Sequence, residues 1–172
     1  MITLVLGGTR SGKSAVAERF AATYGPDIAY LATATVSPED RGFAARVETH
    51  RARRPDTWAT IECGVDLPGA LLSNPGPVLV DSLGTWVSGH RDMAVAIDPL
   101  LDALTERKQP TVIVSEEVGL GVHPPTELGI AFADALGTLN QRVGAVADRV
   151  VLVVAGRVLE LPDATDIGTA QC

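Results

Sequence analysis

Residues 2–14 read ITLVLGGTRSGKS, a short β-prone run that passes directly into a glycine-rich turn ending in Lys-Ser. The next segment, residues 13–23, is alanine-rich and stops at Gly25-Pro26, the punctuation of a helix C-terminus. A strand, a glycine turn and a helix therefore follow one another without a gap. Within the turn, Gly7, Gly12, Lys13 and Ser14 occupy the defining places of the phosphate-binding P-loop pattern. Glycine tolerates the dihedrals that turn backbone N–H groups inward around an anion, so Gly7, Gly8, Thr9, Arg10, Ser11 and Gly12 form the candidate cradle. The helix that follows adds the positive end of its dipole. Lys13 is expected to reach the β- and γ-phosphates of ATP or GTP, and the Ser14 hydroxyl to ligate Mg²⁺. The bland alternative is a strand–helix turn that binds nothing; the strand before and the helix after argue against it.

Outward from this motif, short apolar runs alternate with longer helix-compatible ones. DIAYLAT (27–33), TWATIE (57–62), PVLVD (77–81), TVIVS (111–115) and VVLVV (150–154) are strand candidates. Residues 39–54, 92–107 and 127–147 are helix candidates. Runs apolar on both faces suit a parallel sheet covered by helices on each side. RVLEL (157–161) after Ala155-Gly156 reads as the return strand of an antiparallel edge hairpin. The expected fold is thus a P-loop α/β domain over residues 1–161. The tail from 162 to 172 has turn formers and no periodicity, and is expected to be mobile.

Bulk properties narrow the function. The 172 residues fit one domain with a sizeable core, and 46% apolar with 20% charged residues is an ordinary globular balance. A formal charge of −7 argues against nucleic-acid binding through bulk electrostatics, so any anion site must be built locally. Cys63 and Cys172 have no metal-like spacing. No apolar stretch reaches membrane-spanning length, and the apolar start is too short for a signal peptide. The expectation is a soluble, cytoplasmic protein.

An Mg²⁺ partner is expected at the end of a neighbouring strand, and Asp81, ending PVLVD, has the Walker-B position. A turn or helix-capping role is the alternative for such an Asp. Glu116 and Glu117 follow another strand and would share that edge if the strands are parallel. Two readings stand for them: orienting a nucleophile or metal-bound water, or shaping a glycine-flanked loop. Residues 41–54 carry Arg41, Arg46, Arg51, Arg53 and Arg54 in an acidic chain. On a helix, Arg46, His50, Arg53 and Arg54 share one stripe, with Glu48 as the only acid among them. Such a run is either a solvated face or a phosphate-facing surface on which His50 stays neutral and nucleophilic. His90 and His123 read as loop histidines, Trp58 and Trp86 as packing residues, and Cys63 as a small core residue.

Together, GGTRSGKS, YLATA (30–34), RVETHRARRPDTW (46–58), Glu62, VDSLGTWV, SEEVGLGVHP and LGTLNQRVGAVADRVVLVVAG occur in order from Ile2 to about Leu161. In this the chain resembles the bifunctional adenosylcobinamide kinase / adenosylcobinamide-phosphate guanylyltransferases. The resemblance implies a RecA-like P-loop sheet, a homotrimer and two reactions. The hydroxyl of adenosylcobinamide is phosphorylated by ATP or GTP. Its phosphate then accepts GMP from GTP through a guanylyl-histidine. The family's histidine falls on His50, and Arg51, Arg54, Glu62 and Thr33 are implied GTP contacts. Three departures stand out: Glu116 replaces a frequent Asn, residues 130–134 (IAFAD) lack the arginines of RxFRD, and Arg41-Gly42-Phe43 replace acidic residues. The rival readings are a monofunctional small-molecule kinase with His50 structural, and a nucleotide-dependent regulatory ATPase.

Overall fold

The structure, a computed structural model, describes residues 1–34 and 54–163. Among these, seven strands form one sheet in the order β3-β2-β4-β5-β1-β6-β7. They are β1 (Ile2–Gly7), β2 (Ala29–Ala32), β3 (Ala59–Glu62), β4 (Val78–Asp81), β5 (Thr111–Glu116), β6 (Arg149–Val154) and β7 (Arg157–Leu161). All neighbours pair in parallel except β6 and β7, which form the antiparallel edge hairpin expected from Ala155-Gly156. The helices are α1 (Lys13–Ala22), α2 (Leu67–Ser73), α3 (Leu83–Ser88), α4 (Ile97–Glu106) and α5 (Glu127–Val146).

Strand side chains alternate between two apolar layers. Val5, Tyr30, Leu79, Val112 and Val114 pack with Val16, Ala17 and Ala21 of α1. Leu4, Leu31, Val78, Val80 and Ile113 face α2 to α5 through Leu67, Leu71, Leu83, Trp86, Leu104, Leu136 and Val143. This two-sided burial is why the central strands read as unbroken apolar runs. The two edge strands, β3 and β7, are largely exposed.

Several boundaries differ from the sequence reading. The helix expected at 92–107 begins only at Ile97, after a 3₁₀ turn at Arg91–Met93. Pro99 gives the reason: it has no N–H to donate, so it suits the first turn of α4 and would break a longer helix. Residues 67–73 and 83–88 are helices too short to reveal a period, although their caps are legible. Asp66 Oδ1 accepts from Gly69 N at 3.0 Å, and Ser82 and Thr85 form a capping box. The expected helix 39–54 lies outside the described residues except at Arg54, where the chain bends instead. Trp58 and Trp86 are buried as expected, and Cys63 is half-buried. His123 is exposed on its loop, whereas His90 is half-buried, its Nδ1 2.8 Å from the Trp86 carbonyl. Among the described residues no helix is long and apolar enough to cross a membrane.

Candidate functional site

Parallel pairing puts the C-terminal ends of six strands, β1 to β6, on one edge, the usual place for a ligand in such sheets. The register aligns Glu62, Ala32 and Asp81 across β3, β2 and β4, and Gly7 with Glu116 across β1 and β5. Because β5 stands between β1 and β4, Asp81 is separated from the P-loop strand by two strand spacings, roughly 10 Å.

The loop from Gly7 to Gly12 is pinned at both ends. Glu117 N donates to Gly7 O at 3.1 Å, and Gly156 N, from the β6–β7 turn, donates to Ser11 O at 2.8 Å. Gly12 has φ +92 and caps α1, a conformation that L side chains rarely adopt. Gly8, Thr9 and Arg10 are exposed at the loop's tip, while Ser14 lies in the first turn of α1. Lys13 is 12% exposed, and its Nζ lies 3.5 Å from both Gly8 O and Glu116 Oε1.

The structure separates the two glutamates that sequence left together. Glu117 folds back on its own loop, accepting from Gly119 N at 2.6 Å and Leu120 N at 3.1 Å. Glu116 instead faces Lys13 and accepts from Ser82 Oγ at 3.1 Å and Gly84 N at 3.0 Å. A methyl group at Gly84 would overlap this carboxylate, so the glycine of SLGT makes its seat. Glu116 is the candidate residue that sequence reasoning left undecided. Alternation along β5 sends Ser115 the opposite way, where its hydroxyl donates to Asn140 Oδ1 at 2.6 Å while Asn140 Nδ2 donates to Glu116 O at 2.9 Å.

The Asn of the LNQ segment therefore bolts α5 to the strand end that carries Glu116. Asn140→Ala strands the fully buried Ser115 hydroxyl, a loss of about 2 kcal/mol. The thermal midpoint is expected to fall by about 4–8 °C in a melting experiment; an unchanged midpoint would remove this structural role.

On the other side of β4, Asp81 Oδ2 accepts from the Tyr30 hydroxyl at 2.6 Å. Burial first, then the Asp81 carboxylate, push the Tyr30 pKa far above its usual value, so the phenol stays a proton donor. Arg54 lies over the Tyr30 ring, its guanidinium carbon 3.6 Å from the centroid, and donates to Thr60 Oγ1 at 3.3 Å. Thr33 is 2% exposed, and its hydroxyl is taken up by Ser82 O at 2.7 Å, Ser82 N at 3.0 Å and Thr85 Oγ1 at 2.6 Å. Its geometry is that of a tie between β2 and α3. Glu62 is exposed at the end of β3. His50 and Arg51 lie outside the described residues.

The oxygen donors fit Mg²⁺, which binds through one or two carboxylates plus nucleotide phosphates and needs no dedicated protein cage. Asp81 and Ser14 are such a sparse, hard donor set. Among the described residues there is no cluster of three His, Cys, Asp or Glu that would hold a metal alone.

An ATPase from a type III secretion system of pathogenic bacteria superposes with a TM-score of 0.55 at 10% identity, covering 98% of this chain. This chain spans 60% of that structure's length, and the likeness establishes a P-loop, RecA-like fold. A bifunctional adenosylcobalamin biosynthesis protein CobP of Pseudomonas aeruginosa is 38% identical over 91% of this chain and 94% of its own length. A CobU of the same description from Salmonella typhimurium is 34% identical over 91% of this chain and 97% of its own length. The model of the cobinamide kinase / cobinamide phosphate guanyltransferase family matches residues 3–161. With the P-loop, the strand-end carboxylates and this match across nearly the whole chain, the protein belongs to the cobinamide kinase / cobinamide phosphate guanyltransferase family.

Proposed function

We propose that this protein phosphorylates adenosylcobinamide and then guanylylates the product, with the described strand edge handling the nucleotide phosphates. In the first step the substrate hydroxyl oxygen attacks the γ-phosphorus of ATP or GTP, and the nucleoside diphosphate leaves. In the second, an imidazole nitrogen of His50 attacks the α-phosphorus of GTP and pyrophosphate leaves. A phosphate oxygen of adenosylcobinamide phosphate then displaces the histidine, giving adenosylcobinamide-GDP.

Lys13 and the backbone from Gly7 to Gly12 hold the phosphates of the phosphoryl donor. Arg51 and Arg54 stabilise charge on the GTP phosphates, and Glu62 contacts the guanylyl donor. Thr33 stands beside these GTP contacts, its hydroxyl held by Ser82 and Thr85. Ser14 and Asp81 would hold Mg²⁺, which neutralises phosphate charge when bound. The protein works as a cytoplasmic homotrimer in this reading, with no membrane or nucleic-acid partner; a charge of −7 fits the last point.

The observation that carries the reading is the placement of Lys13, Glu116 and Asp81 along one strand edge in a chain matched by the family from residue 3 to 161. Supplying adenosylcobinamide, ATP and Mg²⁺ should yield its phosphate ester. Adding GTP should convert the ester to adenosylcobinamide-GDP with one pyrophosphate released per product, as resolved by chromatography. Nucleotide hydrolysis without either corrinoid product would sink the proposal in favour of a regulatory ATPase. The ester alone would leave a monofunctional kinase.

A further inference from the structure

Tyr30 makes two contacts that no P-loop motif requires. It sits within β2, between β3 and β4, and is 6% exposed. Its hydroxyl donates to Asp81 Oδ2 at 2.6 Å, and its ring face carries the Arg54 guanidinium at 3.6 Å. The side chain can do both because Tyr30 and Leu79 are register partners on the α1 layer, and Asp81 follows Leu79 by two residues on that face. A buried hydroxyl donor fixes the rotation of a carboxylate, which governs how it meets a metal. An aromatic face fixes the plane of a guanidinium, which governs how it meets a phosphate.

We propose that Tyr30 is a positioning residue shared by the two reactions: its hydroxyl sets the Asp81 carboxylate for Mg²⁺, and its ring sets Arg54 for GTP. The inference rests on the roles given above to Asp81 and Arg54. The two effects use different atoms, so they separate by substitution. Tyr30→Phe removes the hydroxyl and keeps the ring, and Tyr30→Leu removes both.

Two measurements read them. One is the Mg²⁺ affinity of the complex with a non-hydrolysable ATP analogue, by calorimetry. The other is the KM for GTP in guanylyl transfer to supplied adenosylcobinamide phosphate. Tyr30→Phe should weaken Mg²⁺ about tenfold and leave the KM for GTP within twofold of wild type. Tyr30→Leu should weaken Mg²⁺ similarly and also raise the KM for GTP about three- to tenfold. Arg54→Ala should raise that KM with Mg²⁺ affinity unchanged, and needs no change in the core.

Asp81→Asn distinguishes the inference from the reading beneath it. If Asp81→Asn weakens Mg²⁺ while Tyr30→Phe does not, the role of the Tyr30 hydroxyl is overturned and Asp81 stands. If Asp81→Asn leaves Mg²⁺ affinity unchanged, the assignment of Asp81 fails and the hydroxyl's role falls with it. Equal damage to both readouts in Tyr30→Phe would mean general disruption and would also overturn the proposal.

Discussion

Lys13→Ala is expected to lower phosphorylation turnover by about two to three orders of magnitude, with little change in thermal stability. The fold-change follows from removing a preorganised cation from the charge that develops on a transferring phosphoryl group. Within the loop there is no substitute: Arg10, its other cation, is exposed at the tip, and Lys108 is the only other lysine in the sequence. Stability should hold because the 3.5 Å Lys13–Glu116 contact is long and Glu116 keeps its hydrogen bonds from Ser82 Oγ and Gly84 N. Steady-state kinetics with ATP, alongside a melting curve, check both halves. Turnover within a few-fold of wild type would mean that the Gly7–Ser14 loop is not the catalytic cradle.

His50→Ala should abolish guanylyl transfer while leaving measurable kinase activity. A guanylyl group on imidazole nitrogen is a phosphoramidate, acid-labile and stable to mild alkali. Wild-type protein given α-labelled GTP and Mg²⁺ should keep its label through denaturation and lose it in acid. The alanine variant offers no nitrogen to the α-phosphorus, so it should take up no label and make no adenosylcobinamide-GDP. Phosphorylation passes directly from the γ-phosphate to the substrate hydroxyl and does not need that nitrogen. Guanylyl transfer by the variant at wild-type rate, or acid-stable label on the wild type, would refute the assignment.

The contrast between these residues shows where sequence is informative. Lys13 and Ser14 are legible because strand, turn and helix are contiguous, and local dihedral preferences alone bring the loop together. The departure of Glu116 from the family pattern was equally visible, but its target was not. Glu116 and Glu117 are adjacent and chemically identical. Only strand alternation and the seat at Gly84, 32 positions away, direct one to Lys13 and leave the other to cap its loop.

By itself, then, the sequence determined a P-loop α/β domain, the two-faced burial of its strands and the antiparallel closing hairpin, all set by short-range periodicity and turn chemistry. The tertiary structure decided the strand order that inserts β5 between β1 and β4, the withdrawal of Thr33 into the α3 cap, and the meeting of Tyr30 with Asp81 and Arg54. Those contacts join residues 24 to 51 positions apart. No window of sequence contains both partners, and their pairing follows from which faces the assembled sheet turns toward each other.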